Sequence, residues 1–169
     1  MNNLTMYPGS CSVVSTYGVS LPIRCITLAG EQEIDFKLLN RIIILFDKEK
    51  PHKRHCVDIR KIASMVLSNK SYTSAVINTC FNTNFNQFVN FYRVKDALYH
   101  IENNNNTPVT VLCEDIGFRS FSAFSDAFKR YTRGYTPYNW QQNVDMMRMQ
   151  ADDCKSVKEE EDDGYDKVV

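Results

Sequence analysis

One pattern occurs twice along this chain: a short apolar-faced segment, a tight polar turn and a second apolar-faced segment. In the first copy, Asp58 is expected to cap a helix over IRKIASMV, whose apolar side chains share one side. The turn LSNKS follows, and YTSAVINTCF predicts a second helix with Val76, Ile77 and Cys80 facing inward. Two helices that each bury one face across so short a turn favour an all-α fold.

The second copy has the same layout. Thr107 is predicted to be the N-cap of a helix that continues through VTVLCEDI, with Pro108 at its first position, where the missing N–H costs nothing. Gly117 permits a sharp turn before the next helix, SFSAFSDAFKRY. Thr136-Pro137 then opens a last helix through Trp140.

A long spacer separates the two copies. The stretch NTNFNQFVNFYRVKDALYHI repeats apolar residues at helical spacing, which predicts one amphipathic helix over residues 84–103, ended by the loop ENNNNTP. The chain is therefore expected to form two helix-turn-helix units joined by a linker helix. Arg93, between Tyr92 and Val94 on this spacer, is expected to hold the two units together.

The last helix of the second copy has an aromatic side and a polar side. Phe121, Phe124, Phe128 and Tyr131 are three or four residues apart, so they are expected to pack inward. Phe121, at the helix start, has the alternative of facing outward. The opposite face consists largely of serines and cations, which suit phosphates and base edges.

Several sequence features argue against a membrane protein, a secreted protein and an enzyme. The longest apolar run, IIILF, is too short to span a membrane, and MNNLTMYPGS lacks the features of a signal peptide. The six cysteines form no C-x-x-C pair, which indicates reduced thiols and a cytoplasmic location, with Cys80 and Cys113 in the core. No set of residues has the spacing of a metal site, a nucleotide-binding loop or a catalytic triad. We therefore expect no enzyme, no cofactor and no metal.

The sequence divides into four parts. Residues 1–34 are an extension of ambiguous structure, with room for one or two short strands. Residues 35–56 predict a helix capped by Asp35 and then the basic linker KEKPHKRH. The repeated pattern occupies residues 57–143, and residues 144–169 form an acidic tail that is expected to be disordered.

Charge is distributed unevenly, although the net charge is zero. Residues 47–143 carry 13 Lys and Arg against 8 Asp and Glu, whereas residues 151–169 carry 3 against 8. A basic body thus precedes an acidic tail, and the tail is expected either to aid solubility or to compete with a polyanion for the basic surface.

Over residues 57–143 the chain resembles the DNA-binding domain of the AraC/XylS regulators. SYTSAVINTCFNTNFNQFVNFYRVKDAL is similar to that family's first recognition helix and linker helix, and EDIGFRSFSAFSDAFKRYTRGYTPYNW to the signature around its second recognition helix. The second likeness depends on Gly117-Phe118, Phe124, Phe128-Lys129, Thr136-Pro137 and the aromatic Trp140. The resemblance implies a sequence-specific transcription regulator whose two recognition helices enter successive major grooves of double-stranded DNA.

The residues expected to contact DNA lie on the outward faces of the two recognition helices. Arg119, Lys129 and Arg130 are expected to bind phosphates. The other expected contacts are Lys70, Ser71, Ser74, Ala75 and Asn78 on the first helix, and Ser120, Phe121, Ser122, Ser125 and Asp126 on the second.

The chain departs from the family pattern at four positions. Leu67 stands where the first turn of the family has Gly, which predicts an altered turn, and Arg133 is one extra residue before Gly134. Ala75 can contact only a thymine methyl, and Asp126 repels phosphate or accepts a hydrogen bond from a cytosine amino group. These substitutions leave an alternative open, a protein-interaction module that modulates a partner regulator or RNA polymerase without binding DNA. RNA polymerase is an open second partner of the DNA-binding regulator as well.

Overall fold

The computed structural model describes residues 11–14, 20–23, 35–103 and 107–147. Cys11–Val14 (β1) and Ser20–Ile23 (β2) pair in antiparallel fashion, with Cys11 opposite Ile23, so the N-terminal extension contains the two short strands that its composition allows. The described part of the chain from residue 35 onward is all-α, as predicted. Most of the acidic tail lies outside the described residues, so its disorder and its competition with a polyanion stay predictions.

The lead-in helix begins and ends where the sequence predicts. Helix α1 (Phe36–Lys48) is capped by Asp35, whose carboxylate accepts the Leu38 N–H at 3.0 Å. After α1, Lys50 adopts a left-handed conformation with φ +47° and leads into a short 3-10 helix at Pro51–Lys53. The buried side of α1 consists of Leu38, Leu39, Ile42, Ile43 and Phe46.

The first unit consists of α2 (Ile59–Met65) and α3 (Lys70–Phe81). Asp58 caps α2 as predicted and accepts the Arg60 N–H at 2.9 Å. Helix α3 starts two residues before the predicted segment, because the Asn69 side chain accepts the Tyr72 N–H at 2.8 Å and satisfies a donor of the first turn. Lys70 and Ser71 therefore belong to the helix and not to the turn. Strand β2 lies next to α3.

The linker helix, α4 (Phe85–Asn103), matches its predicted range. The amphipathic character expected for it is wrong, since α4 is buried around most of its circumference. The reason is tertiary, because α3 packs against α4 from the first unit and two helices of the second unit also pack against it. The residues predicted to form its apolar face, all of them buried, are Phe85, Phe88, Val89, Tyr92, Ala97 and Ile101. The further buried residues are Phe91, Arg93, Val94, Asp96 and Leu98.

The second unit consists of α5 (Val109–Asp115) and α6 (Phe121–Tyr131). The expected cap of α5 is wrong. Pro108 has an extended ψ of 137° and stands at the N-cap position, and its carbonyl accepts the Val111 and Leu112 N–H groups at 3.0 and 3.1 Å. Thr107 therefore lies one residue outside the cap.

The last helix, α7, covers residues 137–147 and is longer than predicted. Thr136 caps it, since its hydroxyl accepts the Asn139 N–H at 3.1 Å. Val144 is half-buried against the core, so the helix crosses the domain boundary that the sequence places after residue 143. Within the described ranges, no helix is both long and apolar enough to cross a membrane.

Candidate nucleic-acid interface

The two units make the same turn with different residues. Leu67 and Gly117 hold equivalent positions and both have positive φ, +55° and +91°. The predicted alteration of the first turn is therefore wrong, because Leu67 adopts the left-handed conformation itself and leaves its side chain 83% exposed. Two equivalent backbone hydrogen bonds close each turn. In the first turn, the Leu67 N–H donates to the Ser64 carbonyl (3.2 Å) and the Ser68 N–H to the Ala63 carbonyl (2.8 Å). In the second, the Gly117 N–H donates to the Glu114 carbonyl (2.9 Å) and the Phe118 N–H to the Cys113 carbonyl (3.1 Å).

The two recognition helices also match in register when each is counted from its cap. Asn69 caps α3, and Ser120 caps α6 by accepting the Ala123 N–H at 3.3 Å. Each helix then presents an outward residue two, five, six and nine positions after its cap. The matched pairs are Ser71 with Ser122, Ser74 with Ser125, Ala75 with Asp126, and Asn78 with Lys129.

Nearly all the residues predicted to contact DNA lie on the surface. Ser74 and Ser125 are half-buried, at the edges of their outward faces. The exposed members are Lys70, Ser71, Ala75 and Asn78 near or on α3, and Arg119, Ser120, Phe121, Ser122, Asp126, Lys129 and Arg130 near or on α6.

The aromatic side of α6 is buried as predicted, except at its start. Phe124 and Phe128 are fully buried. Tyr131 is half-buried, and its hydroxyl donates to the Gln87 carbonyl of α4 at 2.8 Å. Phe121 is on the first turn, where it packs edge-on against Phe124 and stays 41% exposed, so the inward position expected for it is wrong and the outward alternative holds.

Positive charge is concentrated at α6. Arg119 precedes the helix, and Lys129 and Arg130 lie in its last turn, whereas α3 carries only Lys70 on its outward face. Among the described residues, none of these four side chains forms an ion pair. Their charges are thus available to an anionic partner.

Arg93 is buried and has the structural role expected of it. From α4, its Nε donates to the His52 carbonyl and its Nη2 to the Arg54 carbonyl, both at 2.8 Å. Its guanidinium also lies 5.2 Å from the ring centre of Phe118, a residue in the turn of the second unit. Burial, and then the charge of Arg119, lower the pKa of Arg93. One side chain thus connects the linker before α2, the linker helix and the second unit.

Asp96, one helical turn further along α4, holds in place the segment between α1 and α2. It is 8% exposed and accepts hydrogen bonds from Lys50 Nζ at 3.1 Å and His52 Nε2 at 3.2 Å. Burial by itself would raise the pKa of Asp96, but the bond from His52 and the charges of His52 and Lys50 outweigh it and lower the pKa to about 2. Sequence reasoning missed this residue, and the only signal was an acid at a position that the helical period places in the core.

In the part of the chain that the structure describes, no three His, Cys, Asp or Glu side chains are grouped to hold a metal ion. The two helix pairs and the helix between them define a tandem helix-turn-helix domain.

The helix-turn-helix domain family matches residues 62–143. The fold is similar to the C-terminal domain of AraT, a response regulator from Geobacillus stearothermophilus, with a TM-score of 0.53 and 15% identity over 66% of this chain and 88% of that one. It is also similar to a DNA-binding transcriptional dual regulator from Escherichia coli K-12, with a TM-score of 0.55 and 19% identity over 69% of this chain and 99% of that one. No curated protein matches the chain.

This match and this fold agree with the resemblance of the sequence to the AraC/XylS regulators. At identities below one fifth, the two solved structures establish the fold of this chain.

Proposed function

We propose that this protein is a sequence-specific transcription regulator that binds double-stranded DNA through residues 57–143. In the proposed complex, α3 and α6 lie in successive major grooves on one side of the duplex. The observation that carries the proposal is the matched register of the two helices, in which the same four positions after each cap face outward. Two recognition helices with the same arrangement of outward residues suit a ligand with a repeated surface, and the major groove of a DNA duplex recurs at every turn.

The linker helix has a suitable length for this arrangement. At about 1.5 Å per residue, the 19 residues of α4 span about 28 Å. Neighbouring major grooves on one side of DNA recur at about 34–36 Å, which is close to this length. One chain could then occupy two grooves, as a dimer of single helix-turn-helix proteins does.

The exposed residues divide into two groups by chemistry. Arg119, Lys129 and Arg130 are proposed to bind phosphates, which position a protein on DNA without distinguishing bases. The proposed contacts to base edges come from the paired serines and from Asn78, which suits adenine, while Ala75 and Phe121 suit thymine methyl groups. Lys70 and Ser120, in the first turns, complete the surface, and Asp126 suits a cytosine amino group.

Selection of bound sequences from a random pool of duplexes tests the proposal. The expected result is a motif of two short blocks whose centres are one helical turn apart. A motif with a single block would contradict the use of both helices, and recovery of no motif would contradict sequence-specific binding.

Single substitutions on α6 separate the two proposed groups. Ser122→Ala and Ser125→Ala should reduce the preference for selected over random duplexes, because each removes a group proposed to contact a base. Lys129→Ala should weaken binding to both duplexes alike and lower the slope of log affinity against log salt by about 0.9. A Lys129→Ala variant with altered preference and intact affinity would show that α6 is placed wrongly.

A protein-interaction module is the second candidate function. Two exposed residues favour it, since Asp126 puts a negative charge in the middle of α6 and Ala75 contributes no polar group on α3. RNA polymerase or another regulator would then be the partner, in the cytoplasm. A salt titration distinguishes the two functions, because DNA binding must weaken steeply with salt in proportion to the phosphates bound.

A further inference from the structure

The segment that joins α1 to α2 precedes the first unit in sequence but is held against the second unit. Arg93 binds the carbonyl oxygens of His52 and Arg54. The backbone of the same segment passes directly over the second turn, where a Cβ on Gly117 would lie 2.6 Å from the Lys53 carbonyl oxygen. These contacts determine the path of the segment before it enters α2.

The end of this segment lies beside the start of α6. The Arg119 guanidinium contacts Cys56 Sγ, and Arg119 comes directly before Ser120, the N-cap of α6. Arg54 is two residues from Cys56, so their backbones are no more than about 7 Å apart. Helix-turn-helix proteins direct this end of the recognition helix at the bases, with phosphates on either side.

Arginine side chains carry the positive charge at this place, and the nearby acid Asp58, which lines the same pocket as Arg54 and Cys56, lies 4.0 Å from Arg60. Within the described residues, neither Arg54 nor Arg93 nor Arg119 forms an ion pair. Lys53 differs, because its Nζ lies 3.6 Å from the carboxylate of Asp96. The charge of Arg119 also lowers the pKa of Arg93, as expected for two guanidinium groups that lie close together.

Arg54 is also free to act through its side chain. Its carbonyl is used by the fold, but its side chain is exposed and makes no hydrogen bond in the described structure. A guanidinium group binds phosphate oxygens in bidentate fashion and keeps its charge at any physiological pH.

We propose that Arg54, together with Arg119, forms a phosphate-binding site on the connecting segment, in addition to the two recognition helices. The ligand is the DNA backbone beside the groove that α6 occupies. This site rests on the proposed function, since it contacts the same duplex, but it lies on a part of the chain that forms neither recognition helix. It would make the connecting segment a third contact with DNA.

The experiment measures affinity for one duplex between about 50 and 300 mM salt, with the full chain and its variants. Arg54→Ala should lower the slope of log affinity against log salt by about 0.9, the value for one phosphate contact. Arg54→Lys should restore most of the slope, because the charge is kept. Lys37→Ala, which removes an exposed cation on α1, is the matched control and should leave the slope as in the unmodified chain.

The Lys129→Ala variant, measured in parallel, distinguishes failure of the site from failure of the proposed function. A lower slope for Lys129→Ala with an unchanged slope for Arg54→Ala would overturn the site alone. Unchanged slopes for both variants would overturn DNA binding by α6 and the site with it. Equal losses for Arg54→Ala and Lys37→Ala would show a general effect of net charge and would also overturn the site.

A second measurement tests the location without removing a charge. Cys56 is exposed, so alkylation of the Cys56-containing peptide can be followed by mass spectrometry. Bound duplex should slow this reaction severalfold if the connecting segment lies against the backbone. An alkylation rate that does not change at saturating duplex would overturn the placement.

Discussion

The first and second helix-turn-helix units have the same backbone turn, but only the second requires glycine for it. In the first unit, Leu67 adopts positive φ with its side chain in solvent. In the second, Gly117 lies under the backbone of Lys53, where no Cβ fits. Positive φ alone does not require glycine, since Leu67 adopts it. Gly117 is required because the backbone of another segment lies where its Cβ would be.

The two units also differ in charge. The outward side of α6, together with Arg119 two residues before it, brings three cations and one acid to the surface, whereas α3 brings one cation. If both helices bind DNA as proposed, the second unit supplies most of the phosphate contacts. Arg54, on the connecting segment, adds one more phosphate contact beside the second unit.

The largest expected effect comes from Gly117→Ala. The added Cβ would lie within 2.8 Å of the carbonyl oxygens of both Lys53 and His52, and the backbone would be strained at φ +91°. We expect a loss of about 4 kcal/mol in the free energy of unfolding, measured by urea denaturation. Gly134→Ala is the control, because Gly134 has φ +97° with nothing near its Cβ position and should lose only about 1 kcal/mol. Equal losses for the two variants would contradict the role given to the connecting segment.

Asp96→Asn tests what holds that segment in place. The pKa of Asp96 is about 2 in the folded chain and about 4 when unfolded, so its charge stabilises the fold above pH 4 and loses this effect as pH falls toward 2. We expect Asp96→Asn to lose about 2 kcal/mol at pH 7 and progressively less below pH 4, measured by denaturation at each pH. Asp126→Asn, at an exposed carboxylate, should stay within about 0.5 kcal/mol of the unmodified chain. A loss for Asp96→Asn that is the same at every pH would contradict this interpretation.

The smallest expected effect comes from Leu67→Gly, the change that makes the first turn like the second. The substitution removes the strain of positive φ in a residue with a Cβ, which stabilises the folded state by about 1–2 kcal/mol. It also makes the unfolded chain more flexible, which costs about 0.5–1 kcal/mol on folding. No packing is lost, since the side chain is exposed. The net expectation is a gain of about 0.5–1 kcal/mol by urea denaturation, and a clear loss of stability would mean that Leu67 has a contact in solution that its exposure does not show.

Local patterns predicted most of the helices. The caps Asp35 and Asp58 were identified because a side-chain acceptor before an apolar period satisfies free N–H groups, a contact within a few residues. The outward faces of α3 and α6 were identified for a similar reason, since helical periodicity separates buried from exposed positions. The errors at Pro108 and Phe121 lie at helix starts, where periodicity carries the least information.

Contacts between distant parts of the chain could not be predicted in the same way. Only the structure shows that α4 is enclosed by both units and that Arg93 and Asp96 hold a segment about 40 residues away. The sequence by itself determined which residues form helices and which of their sides are apolar, because these depend on neighbours within one or two turns. Tertiary structure decided which turn must have glycine, which charges are balanced and where the connecting segment lies, because each of these depends on groups that only folding brings together.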